Sequence, residues 1–171
     1  YFGQLSVSDT KASNSRLAGV RGELRGLALR QQQHNESAHD KGVPRIRLLL
    51  ANAGPDWEHG EAVAKQIGQR IRRENIVAAV GFGQSLEGTR KTIRVLSGYG
   101  LPMVSSTATY DRIAVLNAPE EGETKPEEDL YSDFFFPVAP SNTRLAGQTA
   151  EWVLNGKAGE GVENVLAVAY T

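Results

Sequence analysis

Short runs of consecutive apolar residues recur along the chain, and each run predicts a buried β-strand. The clearest runs lie at residues 46–51, 76–80 and 101–105. The first is almost unbroken, which is typical of a strand that is covered on both faces. Residues 1–6 and the aromatic segment 130–138 predict two further extended stretches. The apolar pattern thus predicts the strands of one sheet.

Between these runs, apolar residues repeat at the three- and four-residue spacing of a helix that buries one side. Helices are predicted at 15–34, around 63–71, at 85–97 and at 141–156, and residues 165–171 predict a last strand. The inward positions are Leu17, Val20, Leu24 and Leu27 in the first helix, Val63, Ile67 and Ile71 in the second, and Leu145, Thr149, Trp152 and Val153 in the fourth. We expect Trp57 and Trp152 to pack on the sheet or its edge.

Strands that alternate with helices at this spacing are typical of right-handed βαβ units, which build a parallel sheet with helices on both faces. The sequence therefore predicts an α/β fold of the Rossmann-like kind. A glycine turn at 81–84 and a helix opened by Ser85 follow the strand at 76–80. This order aims a helix N-terminus, a hydroxyl and bare backbone amides at one place, which favours a small anion or polar ligand.

Composition narrows the function. The 171 residues suit one domain or slightly more, and a hydrophobic content of 40% suits a sizeable core. A net charge of −1 argues against nucleic acid as a partner, because phosphate binding needs a surplus of basic residues. The absence of cysteine excludes disulfides, thiolate catalysis and cysteine-bound zinc. No apolar run is long enough to cross a bilayer, and we expect the sequence to be a piece of a longer protein.

The turn Gly81-Phe82-Gly83 partly matches the glycine pattern of a dinucleotide site. Leu86 stands where that pattern requires a third glycine, and no acidic residue follows the next strand to hold a ribose. The same region partly matches the elbow of a serine hydrolase, but Glu87 occupies the position that needs glycine. An α/β enzyme that uses this turn for a phosphate is therefore the less favoured alternative, and we expect neither catalytic residues nor a cofactor.

A cluster of polar residues opens the second predicted helix. Its members are Asp56, Glu58, His59 and Glu61. Such a cluster can bind a metal, but carboxylates in a first helical turn more often offset the helix dipole. We therefore expect no metal site here.

Four of the five residues at 105–109 carry hydroxyl groups, and the run directly follows a buried strand. A helix cap needs one hydroxyl, so four of them beside the strand end that carries Ser85 predict a polar pocket. Small side chains let a ligand reach backbone amides and carbonyls, while hydroxyls donate to a carboxylate or accept from an ammonium. The alternative is a turn rich in serine and threonine that binds nothing.

Four segments of the chain, taken in order, carry a family resemblance. They read GLAL at 26–29, IVAAVGFGQS at 76–85, GLPMVSSTAT at 100–109 and FFFPVAPSN at 134–142. They resemble, in turn, the G-hydrophobic-ELA, VVAVVGPLSS, G(V/I)P-hydrophobic-hydrophobic-SPSAT and FFRTAPSD segments of type I periplasmic binding proteins, the branched-chain amino-acid receptor group. Together they extend over nearly the whole chain.

The resemblance implies which residues bind a ligand. Ser85 aligns with a serine that binds the ligand α-carboxylate, and Thr107 with a position whose backbone holds the ligand headgroup. Thr109 aligns with a threonine whose hydroxyl and backbone amide contact the carboxylate and the ammonium. Gln84, and Ser106 in place of the family's proline, adjoin these positions and complete the expected site.

The resemblance also implies a two-lobed clamp that captures a small carboxylate-bearing ligand, with an amino acid as the default, for transport or sensing. Residues 1–138 would form the first lobe, with an acidic surface insertion at 117–129. Residues 139–171 would form the crossover and the opening helix and strand of a truncated second lobe, whose exposed surfaces favour a homodimer. An extracytoplasmic location and a membrane transporter or receptor component as partner follow from the same resemblance. A receptor-like regulatory or interaction module without a transport role is the alternative.

Overall fold

The computed structural model describes residues 1–8, 13–119, 124 and 126–155, with side chains from residue 17 onward in the first helix. Within those ranges the strands are β1 (Phe2–Gly3), β2 (Ala51–Asn52), β3 (Ala79–Gly81), β4 (Met103–Ser105) and β5 (Phe135–Pro137). The helices are α1 (Ser13–Ala38), α2 (Gly60–Glu74), α3 (Glu87–Gly98) and α4 (Asn142–Leu154), and a short 3₁₀ turn spans Pro55–Trp57.

The five strands are all parallel and follow the order β2-β1-β3-β4-β5 across one sheet. This sheet, flanked by helices, confirms the predicted α/β fold of the Rossmann-like kind. The chain steps from β1 to β2 in one direction and from β3 onward in the other, so its direction reverses between β1 and β3. In open parallel sheets the carboxyl ends of the strands at such a reversal border a crevice.

The face of the sheet under α2 and α3 holds the core. Right-handed crossovers place both helices on this face, where they pack against each other. Phe2, Met103 and Phe135 point into it and are at most 6% exposed. Phe2 stacks on Trp57 with ring centroids 5.4 Å apart, and Phe82 lies 5.9 Å from both Trp57 and Phe135. Trp57 thus packs on the sheet as predicted.

The opposite face is the α1 face, and it is covered less completely. The inward stripe of α1 is half-buried, as its spacing predicts: Leu17, Val20, Leu24 and Leu27. The strand register aligns Val80, Val104 and Phe136 in one row on this face, because side chains alternate along a strand. Val80 and Val104 are half-buried and Phe136 is 52% exposed. The predicted cover on both faces is therefore complete on one face and partial on the other.

The predicted strand at 46–51 is wrong over most of its length. Only its last residue, Ala51, belongs to β2, and Ile46 and Leu50 are 45% and 61% exposed. β1 offers two residues as partners, so the apolar run has no longer ladder to join. The Asn35 side chain of α1 instead binds both the backbone N–H and the carbonyl of Ile46, each at 2.8 Å.

Other boundaries shift less. β3 begins at Ala79 rather than at residue 76, and Val77 is 79% exposed. α1 extends to residue 38 rather than 34, and α3 begins at Glu87 instead of Ser85. Residues 109–116 form turns and no continuous helix, with hydrogen bonds such as that from Ile113 N to the Tyr110 carbonyl at 3.1 Å.

α4 begins as predicted, because the Ser141 side chain accepts a hydrogen bond from Arg144 N at 3.3 Å. No residue of α4 is buried, and Trp152 is 51% exposed, so its predicted packing on the sheet is wrong. The predicted strand at 165–171 and part of the acidic segment 117–129 lie outside the described residues. Within the described part of the chain, no helix combines the length and apolar character needed to cross a bilayer.

Candidate ligand-binding site

The predicted site lies at the carboxyl edge of the sheet, where the neighbouring strands β3 and β4 end. Gly81 and Phe82 begin the turn after β3, and both have positive φ angles, +128° and +55°. Gly81 cannot carry a side chain, since a Cβ would collide with the Phe2 carbonyl oxygen. Phe82 buries its ring completely, and its N–H donates to the same oxygen at 3.2 Å. The buried ring thereby holds the turn in a conformation that a non-glycine residue rarely adopts.

Ser85 joins the loop after β3 to the loop after β4. It does not open α3, because Leu86 is the N-cap residue and makes no side-chain cap bond. The Ser85 side chain is exposed, and its Oγ accepts a hydrogen bond from Tyr110 N at 3.3 Å. The prediction that Ser85 opens this helix is therefore wrong. The same bond brings Ser85 against the peptide that links Thr109 to Tyr110, so two predicted site positions from different loops meet.

Ser105 is the structural member of the hydroxyl run at 105–109. It is fully buried, and its Oγ donates to the Phe82 carbonyl at 3.0 Å while accepting from Ala108 N at 3.0 Å. These bonds hold the turn after β4 against the turn after β3. Ser105 is thus a buried support of the site. The hydroxyls that follow it are exposed or half-buried, and they can reach a ligand.

Thr107 and Ser106 are exposed at the same edge. The Thr107 hydroxyl donates to the Gly83 carbonyl at 2.9 Å. The Ser106 hydroxyl donates to Glu23 of α1, whose other carboxylate oxygen accepts from the Tyr1 hydroxyl at 2.6 Å. Burial and the bond to Glu23 raise the pKa of the Tyr1 phenol. Since each hydroxyl has one proton, Thr107 and Ser106 can offer a ligand only their lone pairs.

Thr109 is half-buried, and Gln84 is exposed at the edge beside Ser85. The Thr109 carbonyl accepts from Asn142 N at 2.8 Å. Asp111 Oδ2 accepts from Thr143 N at 3.2 Å. These two bonds connect the start of α4 to the loop after β4, so the candidate site and α4 are in direct contact.

An open pocket of about 360 Å³ adjoins Ser85 through Tyr110. Its lining residues are Glu87, Arg90, Tyr110, Arg112, Ala118 and Pro119. The Arg90 guanidinium, 8% exposed, binds the Glu87 carboxylate, and this bond lowers the pKa of Glu87. Arg112 binds Asp129 at 2.6 Å. Each arginine of the pocket is thus paired with a carboxylate, and no sequence pattern indicates the pair between Arg112 and Asp129.

A buried amide follows the end of β1, and the sequence pattern does not reveal it. Gln4 is 6% exposed, and its Nε2 donates to the Ser6 carbonyl at 3.1 Å. Its Oε1 has no hydrogen-bond partner. The family-like segments do not include this position, and a glutamine in a polar loop carries no periodic signal.

The polar cluster at the start of α2 makes its contacts at the protein surface. His59 Nε2 lies 3.4 Å from Glu58, and Glu61 binds Lys65 at 2.7 Å. Across the described ranges, no group of three or more histidine, cysteine, aspartate or glutamate residues is placed to hold a metal ion.

No family model, curated protein or solved structure matches this chain. The observed sheet carries the assignment to the α/β class. The likeness to type I periplasmic binding proteins rests on the four sequence segments.

Proposed function

We propose that this chain is a solute-binding domain that captures a small carboxylate-bearing ligand, with an amino acid as the first candidate. The binding surface is the carboxyl edge of the sheet at the ends of β3 and β4. Following the family resemblance, residues 1–138 form the first lobe and residues 139–171 begin the second, with the ligand held between them. In this proposal the protein works outside the cytoplasm with a membrane transporter or a receptor component.

The meeting of Ser85 with the Tyr110 backbone carries the proposal. Because of it, loops from two neighbouring strands present polar groups at one end of the sheet. This end adjoins the reversal of chain direction between β1 and β3, where open parallel sheets bind ligands. The exposure of Ser85, Thr107, Gln84 and Ser106 leaves their polar groups within reach of a solute.

The hydroxyls at this edge divide into a donor and acceptors. Ser85 accepts from Tyr110 N, which occupies one lone pair and leaves its own proton to donate to a ligand carboxylate. Thr107 and Ser106 already donate to protein acceptors, so they can accept from a ligand ammonium. A ligand with both groups, such as an amino acid, complements this arrangement. Hydrogen bonds to charged groups are worth about 1.5–3 kcal/mol each, which is enough for selective capture.

The surroundings of Ser85 favour binding over catalysis. A nucleophilic serine needs a neighbouring base to take its proton. The partner that the structure gives Ser85 is a backbone N–H, which is a donor and cannot serve as that base. We therefore propose reversible binding with no covalent step and no cofactor.

Calorimetry on a double variant tests the function. Alanine, leucine and glutamate are titrated into the protein and into a variant with Ser85→Ala and Thr109→Ala. The variant should lose at least about a hundredfold in affinity, because two hydrogen bonds to charged ligand groups are removed. Ser37→Ala with Thr149→Ala is the control, since both hydroxyls donate to carbonyls within helices α1 and α4.

Two outcomes of this titration contradict the proposal. One is an unchanged affinity in the double variant. The other is the absence of binding by any of the three probes, together with a native mass spectrum in which no small molecule accompanies the purified protein. Unfolding curves in urea establish that both double variants fold.

A second candidate role is that of an association module, and the exposure of α4 favours it. Leu145, Trp152 and Leu154 of this helix are 42%, 51% and 80% exposed. Exposed apolar patches of this kind often mark interaction surfaces. Light scattering over a hundredfold range of concentration tests for a homodimer. Trp152→Ser with Leu154→Ser should abolish it, and a protein that is monomeric throughout the range counts against this role.

A further inference from the structure

The open pocket beside Ser85 has the size of a small-ligand subsite. Its volume is about 360 Å³, and such sites usually measure roughly 300–1,000 Å³. Tyr110 lines this pocket, and the N–H of the same residue donates to Ser85 Oγ at 3.3 Å. Glu87, which follows Ser85 by two residues, lines the pocket as well. A solute held at Ser85 can therefore extend directly into this pocket.

Arg112 lines the same pocket from a turn that begins at Tyr110. Ile113 N donates to the Tyr110 carbonyl at 3.1 Å, so Tyr110 and Arg112 belong to one four-residue turn. Val115 N donates to the Arg112 carbonyl at 3.2 Å, and both Ile113 and Val115 are buried. These contacts hold the backbone of Arg112 in place before a ligand arrives.

The Arg112 guanidinium has donor groups that the fold does not use. A guanidinium carries five N–H donors and can bind a carboxylate through two of them at once. Among the described residues, Arg112 makes one side-chain hydrogen bond, from Nη2 to Asp129 Oδ1 at 2.6 Å. Because its side chain lines an open pocket and is 30% exposed, a ligand can reach the remaining donors.

The charges on the other side of the pocket do not repel an anion. Arg90 is 8% exposed, and its Nε donates to the Glu87 carboxylate at 2.8 Å. This bond, together with the charges of Arg90, Lys91 and Arg94, lowers the pKa of Glu87. Three cations thus act on one carboxylate here. Arg90 is committed to Glu87, so Arg112 is the cation that can bind a ligand.

We propose that Arg112 is a specificity-determining residue, and that it binds a second carboxylate on a solute whose first carboxylate is held at Ser85. The preferred ligand is then an acidic amino acid such as glutamate or aspartate. Without ligand, the Asp129 carboxylate occupies one donor of Arg112 and so resembles the group that the ligand supplies. This inference rests on the proposed function and names its ligand class.

Pairs of amino acids that match in shape and differ in charge test the role of Arg112. They are glutamate beside glutamine, and aspartate beside asparagine. Calorimetry on the full chain should show that the acidic member of at least one pair binds about tenfold or more tightly than the neutral member. Arg112→Gln should bring this ratio close to one by weakening the acidic member far more, because a hydrogen bond between charged groups is lost.

Asp129→Asn should move the same ratio in the opposite direction. It keeps the size of the side chain and removes the carboxylate charge beside Arg112. The acidic member should then bind up to about fivefold more tightly, while the affinity of the neutral member changes less. This second variant tests the inference even if Arg112→Gln does not fold, since a general loss of folding cannot strengthen binding.

The ion pair between Arg47 and Glu74 provides matched controls. The two side chains are 3.1 Å apart, and Glu74 ends α2, close to the start of β3 and therefore at the opposite end of the sheet from the site. Arg47→Gln and Glu74→Gln should leave the ratio unchanged. Urea unfolding of all four variants identifies any loss of folding.

The outcomes separate this inference from the proposed function. Equal affinities within each pair, an Arg112→Gln variant that weakens both members equally or neither, or an Asp129→Asn variant that lowers the ratio would each contradict the role of Arg112. The proposed function stands in those cases, and also if only alanine or leucine binds. If none of these amino acids binds the unaltered protein, the proposed function fails and this inference fails with it.

Discussion

The two faces of the sheet differ in how completely they are covered, although the same strands build both. Phe135 and Phe136 are neighbours in β5, yet the first is 6% exposed and the second 52%. Phe135 points towards α2 and α3, where its ring meets that of Phe82 edge-on. Phe136 belongs to the row with Val80 and Val104 on the α1 face. In a parallel sheet, the connections that pass over a strand decide the burial of its residues more than their own hydrophobicity does.

Alanine at these two phenylalanines gives the largest contrast. Phe135→Ala should lower the free energy of unfolding by about 3–5 kcal/mol, because it removes a buried ring and leaves a cavity. Phe136→Ala should lower it by about 1 kcal/mol or less, since half of that ring is already in water. Urea unfolding followed by tryptophan fluorescence measures both. Equal losses would show that the α1 face is packed as well as the other.

Glycines in helices on the two faces provide the next contrast. In α3, a Cβ on Gly88 would collide with the backbone carbonyl of Trp57, whereas a Cβ on Gly26 of α1 meets nothing within 4 Å. Gly88→Ala should therefore cost about 1–3 kcal/mol of unfolding free energy. Gly26→Ala should add up to about 1 kcal/mol, because alanine favours a helix. A Gly88→Ala variant as stable as the parent would contradict the close packing of α3 on the core.

Two buried threonines of α3 test the hydrogen bonding on the face of the sheet under α2 and α3. Thr89 and Thr92 are both fully buried, but the Thr92 hydroxyl donates to the Gly88 carbonyl at 2.8 Å and the Thr89 hydroxyl has no partner. Thr89→Val should raise the free energy of unfolding by about 1 kcal/mol, and Thr92→Val should lower it by a similar amount. Thermal and urea unfolding of the two variants should move in opposite directions. Shifts of the same sign would exclude this assignment of the hydrogen bonds.

The smallest expected effect is on the stability of the fold at acidic pH, and it involves Glu87 of α3. The bond to Arg90 holds the pKa of Glu87 below its ordinary value. A carboxyl whose pKa is lower in the folded state stabilises the fold above its unfolded-state pKa, and this contribution is lost as the pH falls through the folded-state pKa. Glu87→Gln should therefore flatten the decline in stability below about pH 4.3. If the stability of Glu87→Gln and that of its parent fall equally as the pH is lowered, the pair of Glu87 and Arg90 contributes nothing.

The spacing of apolar residues predicted which helices and strands form better than it predicted how long they are. α2, α3, α4 and the central strands follow from apolar spacing, and Ser141 caps α4 as expected. The prediction at 46–51 was wrong because five apolar residues, interrupted only by Arg47, look like a buried strand whatever partner is present. Its outcome depends on β1, which supplies only Phe2 and Gly3 as partners. A ladder between distant segments is not encoded in either segment alone.

Part of the candidate site was readable from the sequence, and the rest depended on distant contacts. Ser85 and the hydroxyls at 106–109 stand out because small polar residues follow buried strands. Their individual hydrogen bonds do not stand out: Tyr110 N replaces the helix cap, and Glu23 reaches Ser106 from α1.

The position of β1 in the sheet has a consequence for how the protein is made. Phe2 lies between Ala51 on one side and Gly81 on the other, so this strand needs neighbours that are translated much later. Pairings across such long stretches of chain form slowly. While the ribosome extends the polypeptide, β1 leaves the exit tunnel before either of these neighbours, with both of its edges and the ring of Phe2 still uncovered. Protection by a chaperone matters most for that interval.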